Sequence, residues 1–397
     1  MTQRDVDICI IGGAGHVGLP LALVFAAVGQ RVCIYDLNAA ALEKIAGGTM
    51  PFIEYGAEPL LEEALRDQRL VFSSDPRDIA RARHVIVAIG TPVDEYLNPK
   101  LRSLLDLFQN VRPYLDPGQT IIIRSTVFPH TSAHVRQALC KDGHDWLVAY
   151  CPERIAQGYA IRELRELPQI VSGCTDAAAE RASELFALIA PKIIRLGVEE
   201  AELAKLFSNA WRYIQFAVSN QFYMVAETIG VDFNRVRQAM VDGYGRAASL
   251  PGAGFAAGPC LLKDTMQLAA FNSTSFMLGH AAMSINEGLP NFLVDQLSRR
   301  RKLQGLKVGI LGMAFKADID DIRDSLSYKL GKILRFQGAE VLYSDEFAKD
   351  LTFIPKEQLV AVSDVVIVGV PHSAYKTLAV PAHVEVVDLW NVIPARG

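Results

Sequence analysis

The stretch Gly254-Phe255-Ala256-Ala257-Gly258-Pro259-Cys260-Leu261-Leu262-Lys263-Asp264 sets a thiol beside a lysine and a carboxylate. Proline suits the first turn of a helix, so a helix is expected to begin near Pro259 with Cys260 in its first turn. There the helix dipole and Lys263 would favour the thiolate. Asp264 stands four residues on, on the same helical face. A nucleophile and a carboxylate sharing a face is an arrangement that covalent catalysis uses. Taken alone, a buried structural cysteine is the stronger reading. A second pair, Lys205 and Asn209, has i, i+4 spacing among apolar residues. A lysine on such a surface stabilises an oxyanion, with the asparagine amide as a second donor; a lysine snorkelling at a helix rim explains the pair equally well. Glu153, in Cys151-Pro152-Glu153-Arg154, follows a predicted strand end, where ligands bind in α/β sheets and where surface glutamates are also common.

These residues need elements to position them. Val6–Ile11 reads as a strand, Gly13-Ala14-Gly15-His16-Val17-Gly18 as a turn, residues 19–28 as an apolar helix, and residues 31–35 as a second strand ending at Asp36. In Gly13-x-Gly15-x-x-Gly18 the first glycine permits the tight turn and the second lets a pyrophosphate approach the backbone. The third allows close helix–strand packing, and the helix N-terminus offers N–H groups to phosphate. Asp36 stands where a ribose-binding carboxylate should and would repel a 2′-phosphate, so the expected cofactor is NAD rather than NADP. A glycine turn that binds nothing is the competing reading. Strands at 70–72, 84–89, 120–124 and 146–150 alternate with helical stretches, which implies a doubly wound parallel sheet.

From about residue 198 to 238 apolar residues recur at helical spacing and proline is absent, so one long helix and a shorter one are expected. Helical patterns resume after the glycine-rich loop 252–258 and run to about Leu297. Arg299-Arg300-Arg301-Lys302 reads as a solvated linker before a strand at Lys307–Leu311. The run 364–371, ending in Gly369-Val370-Pro371, echoes 84–92, ending in Gly90-Thr91-Pro92. The architecture is therefore α/β, then helices, then α/β.

The chain has 397 residues, 50% hydrophobic and 21% charged, with a formal net charge of −4. That length accommodates two or three domains with their own cores. The composition excludes disordered and collagen-like proteins, and the mild acidity argues against a broad nucleic-acid surface. Cys9, Cys33, Cys140, Cys151, Cys174 and Cys260 form no CxxC pair and no zinc-spaced cluster. Neither a metal site nor a disulfide framework is expected. No apolar run reaches the roughly 18 residues of a membrane span, and glycines break the N-terminal apolar segment where a signal sequence would continue. A cytoplasmic, soluble protein is expected.

Taken in order, the motifs resemble those of the nucleotide-sugar 6-dehydrogenases, which act on UDP-glucose, GDP-mannose and UDP-N-acetylhexosamines. The resemblance is carried by Gly13–Gly18 with Leu19-Pro20, Gly90-Thr91-Pro92, Arg124-Ser125-Thr126-Val127, Pro152-Glu153-Arg154, Glu202-Leu203-Ala204-Lys205 with Asn209, Cys260 with Lys263-Asp264, and Gly312-Met313-Ala314-Phe315-Lys316 with Asp320-Asp321-Ile322-Arg323. It implies a four-electron oxidation of a sugar C6 alcohol to a uronic acid with two NAD⁺, of the kind polysaccharide biosynthesis uses. It also implies that Asp264 and Thr126 hold the water taking the first proton, and that Cys260 attacks the aldehyde on the way to a thioester. Lys205 and Asn209 would then stabilise oxyanions, and Glu153 would assist hydrolysis.

The same resemblance assigns Gly13, Gly15, His16, Val17, Gly18, Asp36, Thr91, Thr126, Lys263 and Arg323 to the cofactor. It assigns Glu153, Arg154, Lys205, Asn209, Arg246, Phe255, Gly258 and Lys316 to the substrate, with Arg246 reaching across a homodimer. Its domains would be 1–196 for NAD, 197–300 for helical dimerisation and 301–397 for the UDP-sugar. Gln157-Gly158 after Glu153 looks like the N-acetylhexosamine enzymes, whereas Lys263-Asp264 looks like the UDP-glucose and GDP-mannose enzymes. The expected substrate is UDP-N-acetylhexosamine (GlcNAc or ManNAc), the alternatives being UDP-glucose and a two-electron hydroxyacid-type oxidation with Cys260 idle.

Overall fold

The computed structural model describes residues 4–91, 94, 101–140, 146–273 and 275–394. The chain divides into two compact units, Met1–Phe207 and Ser208–Gly397, at a point inside the helix Val198–Thr228. Among the described residues no helix is long and apolar enough to cross a membrane.

The first unit is built on eight strands: β1 (Val6–Ile11), β2 (Val32–Tyr35), β3 (Leu70–Ser73), β4 (Ala82–Val87), β5 (Thr120–Ile123), β6 (Leu147–Tyr150), β7 (Gln169–Gly173) and β8 (Ile193–Arg195). Their order is β3-β2-β1-β4-β5-β6-β7-β8. The strands alternate faces, sending Ile8 and Ile10 into one apolar cluster and Cys9 and Ile11 into another. A sheet buried on both sides needs helices on both faces, as expected of a doubly wound fold. The first helix, Gly18–Ala27, is almost wholly buried, which is why its sequence is apolar all round.

The expectation of a wholly parallel sheet needs one correction: β7 runs antiparallel to β6, in the register Tyr150 to Ser172. β7 and β8 also escaped the sequence reading. β7 carries buried Gln169 and Ser172 within its short apolar run, and β8 is three residues long.

The second unit contains the smaller sheet, β9 (Lys307–Leu311), β10 (Glu340–Ser344), β11 (Val365–Val368) and β12 (Glu385–Val387), ordered β10-β9-β11-β12 and parallel throughout. Val308, Ile310, Val365 and Ile367 enter one apolar cluster, and Leu311, Val366 and Val368 the other. The helices Phe233–Val241, Leu261–Phe271 and Met277–Arg300 precede this sheet. The basic stretch is not a plain linker. Arg299 and Arg300 close a helix, where cations suit the dipole, and Arg300 pairs with Glu227 and Glu385 at 3.4 Å each.

A buried amide network fixes the loop that leads to Cys260. Asn220, on the long helix, donates to the Gly254 carbonyl at 3.0 Å and accepts from the Gly254 N–H at 2.8 Å. Its amide also donates to Asn286, which in turn donates to the Tyr213 carbonyl. Gly254 has φ +159, and a Cβ there would lie 2.1 Å from the Trp390 ring.

Candidate active site

The glycine turn follows β1, beside β4 where the strand order reverses direction, the usual place for a ligand in such sheets. The positive φ belongs to Gly12, at +79, so the tight turn expected at Gly13 begins one residue earlier. A Cβ on Gly13 would stand 2.8 Å from the Ile10 carbonyl oxygen, and one on Gly18 only 2.3 Å from that of Gly12. Gly15 differs: its Cβ would meet nothing closer than 3.4 Å, so its face of the turn is open. His16 packs its ring on Phe52, with centroids 3.9 Å apart. Val17 is the N-cap of Gly18–Ala27 and makes no side-chain cap, and the first turn holds no acid. Its N–H groups therefore suit a phosphate. Asp36 accepts one bond on each oxygen, from Ala14 N–H at 3.1 Å and Asn38 N–H at 3.0 Å, which leaves acceptor capacity for ribose hydroxyls. These residues fit a dinucleotide, and NAD in particular.

Other site candidates lie beyond the C-terminal ends of neighbouring strands. Thr91 follows β4, Thr126 follows β5 and Glu153 follows β6; Pro92 lies outside the described residues. Thr91 and Thr126 are half-buried. Glu153 Oε1 accepts from Lys205 Nζ at 2.9 Å, and Oε2 accepts from the Ile155 N–H at 2.9 Å. Both side chains are nearly closed off from solvent, so the pair is held in a low-dielectric setting. Burial pushes the Glu153 carboxyl up, but the Lys205 charge and hydrogen bond, with Arg124 behind them, bring it below the usual carboxylate range. Glu153 is therefore an ionised acceptor at neutral pH.

Sequence reasoning gave Arg124 no role. It is 1% exposed, donates to the Cys151 carbonyl and Gln169, and stacks over Phe186. Arg154 turns to the Pro168 carbonyl. Gly158, at φ +86, donates to Glu54, a second buried carboxylate the sequence reading passed over.

In the second unit, Asn209 donates its amide to Asp264 Oδ2 at 2.5 Å. Asp264 is 1% exposed; among the described residues its Oδ1 has no hydrogen-bond partner, and it faces Lys263 Nζ at 3.6 Å. A buried carboxylate oxygen beside a lysine charge is an acceptor for a hydroxyl. Lys205 and Asn209, one turn apart on one helix, thus serve different carboxylates.

Two expectations for Cys260 change. Its thiol is exposed and reduced, not a buried structural cysteine. It is also the N-cap of Leu261–Phe271, one position before the first turn, with its carbonyl accepting from Asp264 N–H at 2.8 Å. The shift has a local cause. Gly258, at φ +97 against Phe315, is held by its N–H to the Asp324 carbonyl, and residues 258–260 form a bend and a turn before the helix begins at Leu261. Phe255 is buried. Arg323 forks onto Asp321, whose hydrogen bonds raise the guanidinium above its ordinary value, and it lies within electrostatic reach of Cys260. Lys316 is half-buried and Arg246 exposed.

Three domain profiles of one family match the chain in succession. They are the NAD binding domain of the UDP-glucose/GDP-mannose dehydrogenase family over residues 6–190, its central domain over 199–288 and its UDP binding domain over 309–395. The chain belongs to this family. It is an NAD-dependent nucleotide-sugar dehydrogenase, an oxidoreductase whose NAD binding domain carries the glycine turn and whose UDP binding domain carries β9 to β12.

Among its relatives is the UDP-N-acetyl-D-mannosamine dehydrogenase of Methanocaldococcus jannaschii, 29% identical over 93% of this chain and 86% of that one. The UDP-glucose 6-dehydrogenase of Bacillus subtilis is 28% identical over 85% of this chain and 75% of that one. The solved UDP-D-ManNAc dehydrogenase of Pyrococcus horikoshii superposes with a TM-score of 0.90 at 27% identity, covering 98% of this chain and 96% of its own. A UDP-glucose dehydrogenase from Pyrobaculum islandicum gives 0.89 at 27% identity, covering 99% and 96%.

Proposed function

We propose that this dehydrogenase oxidises the C6 hydroxymethyl of a UDP-N-acetylhexosamine, of the ManNAc type, to the uronic acid. The overall reaction is RCH₂OH + 2 NAD⁺ + H₂O → RCOO⁻ + 2 NADH + 3 H⁺. The observation that carries this reading is the buried Lys205–Glu153 pair, because it holds a lysine 2.9 Å from an ionised carboxylate. The substrate class draws on Gly158 after Glu153 and on the relatives named for UDP-N-acetyl-D-mannosamine.

When bound, NAD⁺ supplies the hydride acceptor; the chain supplies everything else. Thr126 and Asp264 hold the water that takes the proton from the C6 hydroxyl. The Cys260 thiolate then adds to the aldehyde carbon, forming a C–S bond and restoring a carbon that can lose hydride again. Lys205 and Asn209 donate to the resulting oxyanions. Glu153 accepts a proton from the water that cleaves the thioester, and the thiol is regenerated. Lys263 and Arg323 serve the cofactor; Arg154, Phe255, Gly258 and Lys316 serve the substrate.

The functional segments are 1–196, 197–300 and 301–397, in a cytoplasmic enzyme. The long helix exposes Phe207, Trp211, Val218, Phe222 and Val225 at spacings of three, four and seven, a seam suited to a second copy of the same helix. A homodimer built there would let Arg246 reach its neighbour's substrate.

The deciding experiment follows NAD⁺ reduction over a panel of UDP- and GDP-sugars. Two NADH per UDP-ManNAc or UDP-GlcNAc is the expected result. Turnover confined to UDP-glucose would move the substrate, and one NADH with an aldehyde product would sink the thioester route. Trp211→Asp should convert a dimer to a monomer in sedimentation; an unchanged mass would remove the seam from the interface.

A further inference from the structure

Glu202 is completely buried, yet among the described residues none of its hydrogen bonds goes to a cation. Its carboxylate accepts from the His130 N–H at 2.7 Å, the Ser132 N–H at 2.9 Å and the Ser132 hydroxyl at 2.7 Å. These donors open the helix Thr131–Leu139, whose N-cap, His130, sits at φ +70 and provides no side-chain cap. Glu202 is thus a cap delivered from another helix; burial raises its carboxyl above the ordinary value, and the Ser132 and His130 donors oppose that rise.

Its position in the chain gives the cap a second meaning. Glu202 lies one turn before Lys205 on the long helix, and the residues it grips come just after Thr126 in the segment leaving β5. Val127 is buried in the core cluster against which Ala201 and Ala204 also pack, and Pro129 limits the freedom of the intervening chain. Any slip between the two segments at Glu202 is passed on to both functional groups.

We propose that Glu202 is a positioning residue for the reaction, setting the Lys205 ammonium and the Thr126 hydroxyl in register with one another. The proposal rests on the assignment of Lys205 and Thr126 to the chemistry. Glu202→Gln keeps the shape but turns an amide toward N–H donors, so kcat should fall about 10- to 100-fold while KM for NAD⁺ and sugar changes less than about threefold. Ser132→Ala removes one of the three bonds and should lower kcat several-fold. Val135→Ala, in the core face of the capped helix, is the control for simple destabilisation: it should lower Tm without lowering kcat at the assay temperature.

A kcat for Glu202→Gln within twofold of wild type overturns the proposal. So does a loss in Val135→Ala as large as that in Glu202→Gln. Should Glu202→Gln fail to fold, Ser132→Ala decides, and an unchanged kcat overturns it. Lys205→Met and Thr126→Val separate the two layers. If both retain full turnover, the underlying assignment has failed; if both are inactive and Glu202→Gln is not impaired, only the positioning role has.

Discussion

Asp36 follows β2 in the larger sheet and Asp345 follows β10 in the smaller one, each beside the sheet's central turn. The surroundings are built alike. Gly12, at φ +79, donates to the carbonyl ending β2 at 3.0 Å, and Gly312, at φ +92, to the carbonyl ending β10 at 2.8 Å. Both aspartates then accept N–H bonds from the turn. They part in what else they hold. Asp36 is half-buried with two bonds. Asp345 is closed off and takes Met313, Ala314, Phe347 and Ala348 N–H groups as well as the His372 ring, 3.0 Å away. Since His372 Nδ1 accepts from Asp318 N–H, its Nε2 is the donor. A carboxylate offers about four lone-pair positions, so Asp345 has nothing left for a ribose. The acid at the strand end is common to both sheets; unspent acceptor capacity is what separates the proposed ribose-binding Asp36 from a brace.

The sharpest way to break this contrast is Asp345→Asn. It should destabilise the protein by about 3–5 kcal/mol, since an amide nitrogen in place of either oxygen leaves at least two buried donors unpaired at about 1–3 kcal/mol each, while NAD affinity of the folded protein stays within twofold. A melting curve like wild type would show that Asp345 braces nothing.

The two units should also fail in acid over different ranges. Burial, helped by Arg181, pushes His84 in the first sheet down to about 4, so it is neutral when folded. The unfolded chain protonates this histidine first, and the first unit loses on the order of 3 kcal/mol as pH falls from 6.5 to 4. For Asp345, burial raises the carboxyl, but His372 and the N–H donors outweigh it and hold it at about 2. Its contribution, on the order of 2 kcal/mol, is complete above 3.8 and fades only below that. Hydrogen exchange at stepped pH should find β4 loosening before β9; His84→Val should abolish that order.

Asp36→Ala should leave Tm nearly unchanged and weaken NAD by about 10- to 100-fold, one to two bonds' worth. Comparable affinity by calorimetry would make Asp36 a second brace. Smallest is Gly15→Ala, which should fold normally and bind NAD several-fold more weakly by crowding the pyrophosphate. Gly18→Ala, by contrast, should disturb the turn itself, because its Cβ would clash with Gly12.

Much of this was legible in the sequence. Buried parallel strands announce themselves as apolar runs, and the echo between 84–92 and 364–371 marks true equivalents, since β4 and β11 each flank the first strand of their sheet. The polar pairs were not legible. Nothing in spacing says that Lys205 meets Glu153 while Asn209 meets Asp264, because helical periodicity fixes a face but not what stands opposite. Glu202 and Asp345 were invisible as supports for the same reason: most of their partners are backbone N–H groups, which every residue carries. The start of the Cys260 helix was misplaced because proline marks a favoured position while Gly258, pinned against Phe315, sets the actual one.

The contact between Gly254 and Trp390 has a consequence for how the enzyme is made. Trp390 leaves the ribosome long after the Cys260 loop does, and its indole, donating to the Gly369 carbonyl, occupies the space any side chain at position 254 would need. During synthesis the thiol-bearing loop therefore lacks its wall, and it acquires its final shape only when the last strand and Trp390 have emerged. A nascent chain arrested before Trp390 would carry Cys260 without a finished setting for it, so the surroundings of this thiol are completed last.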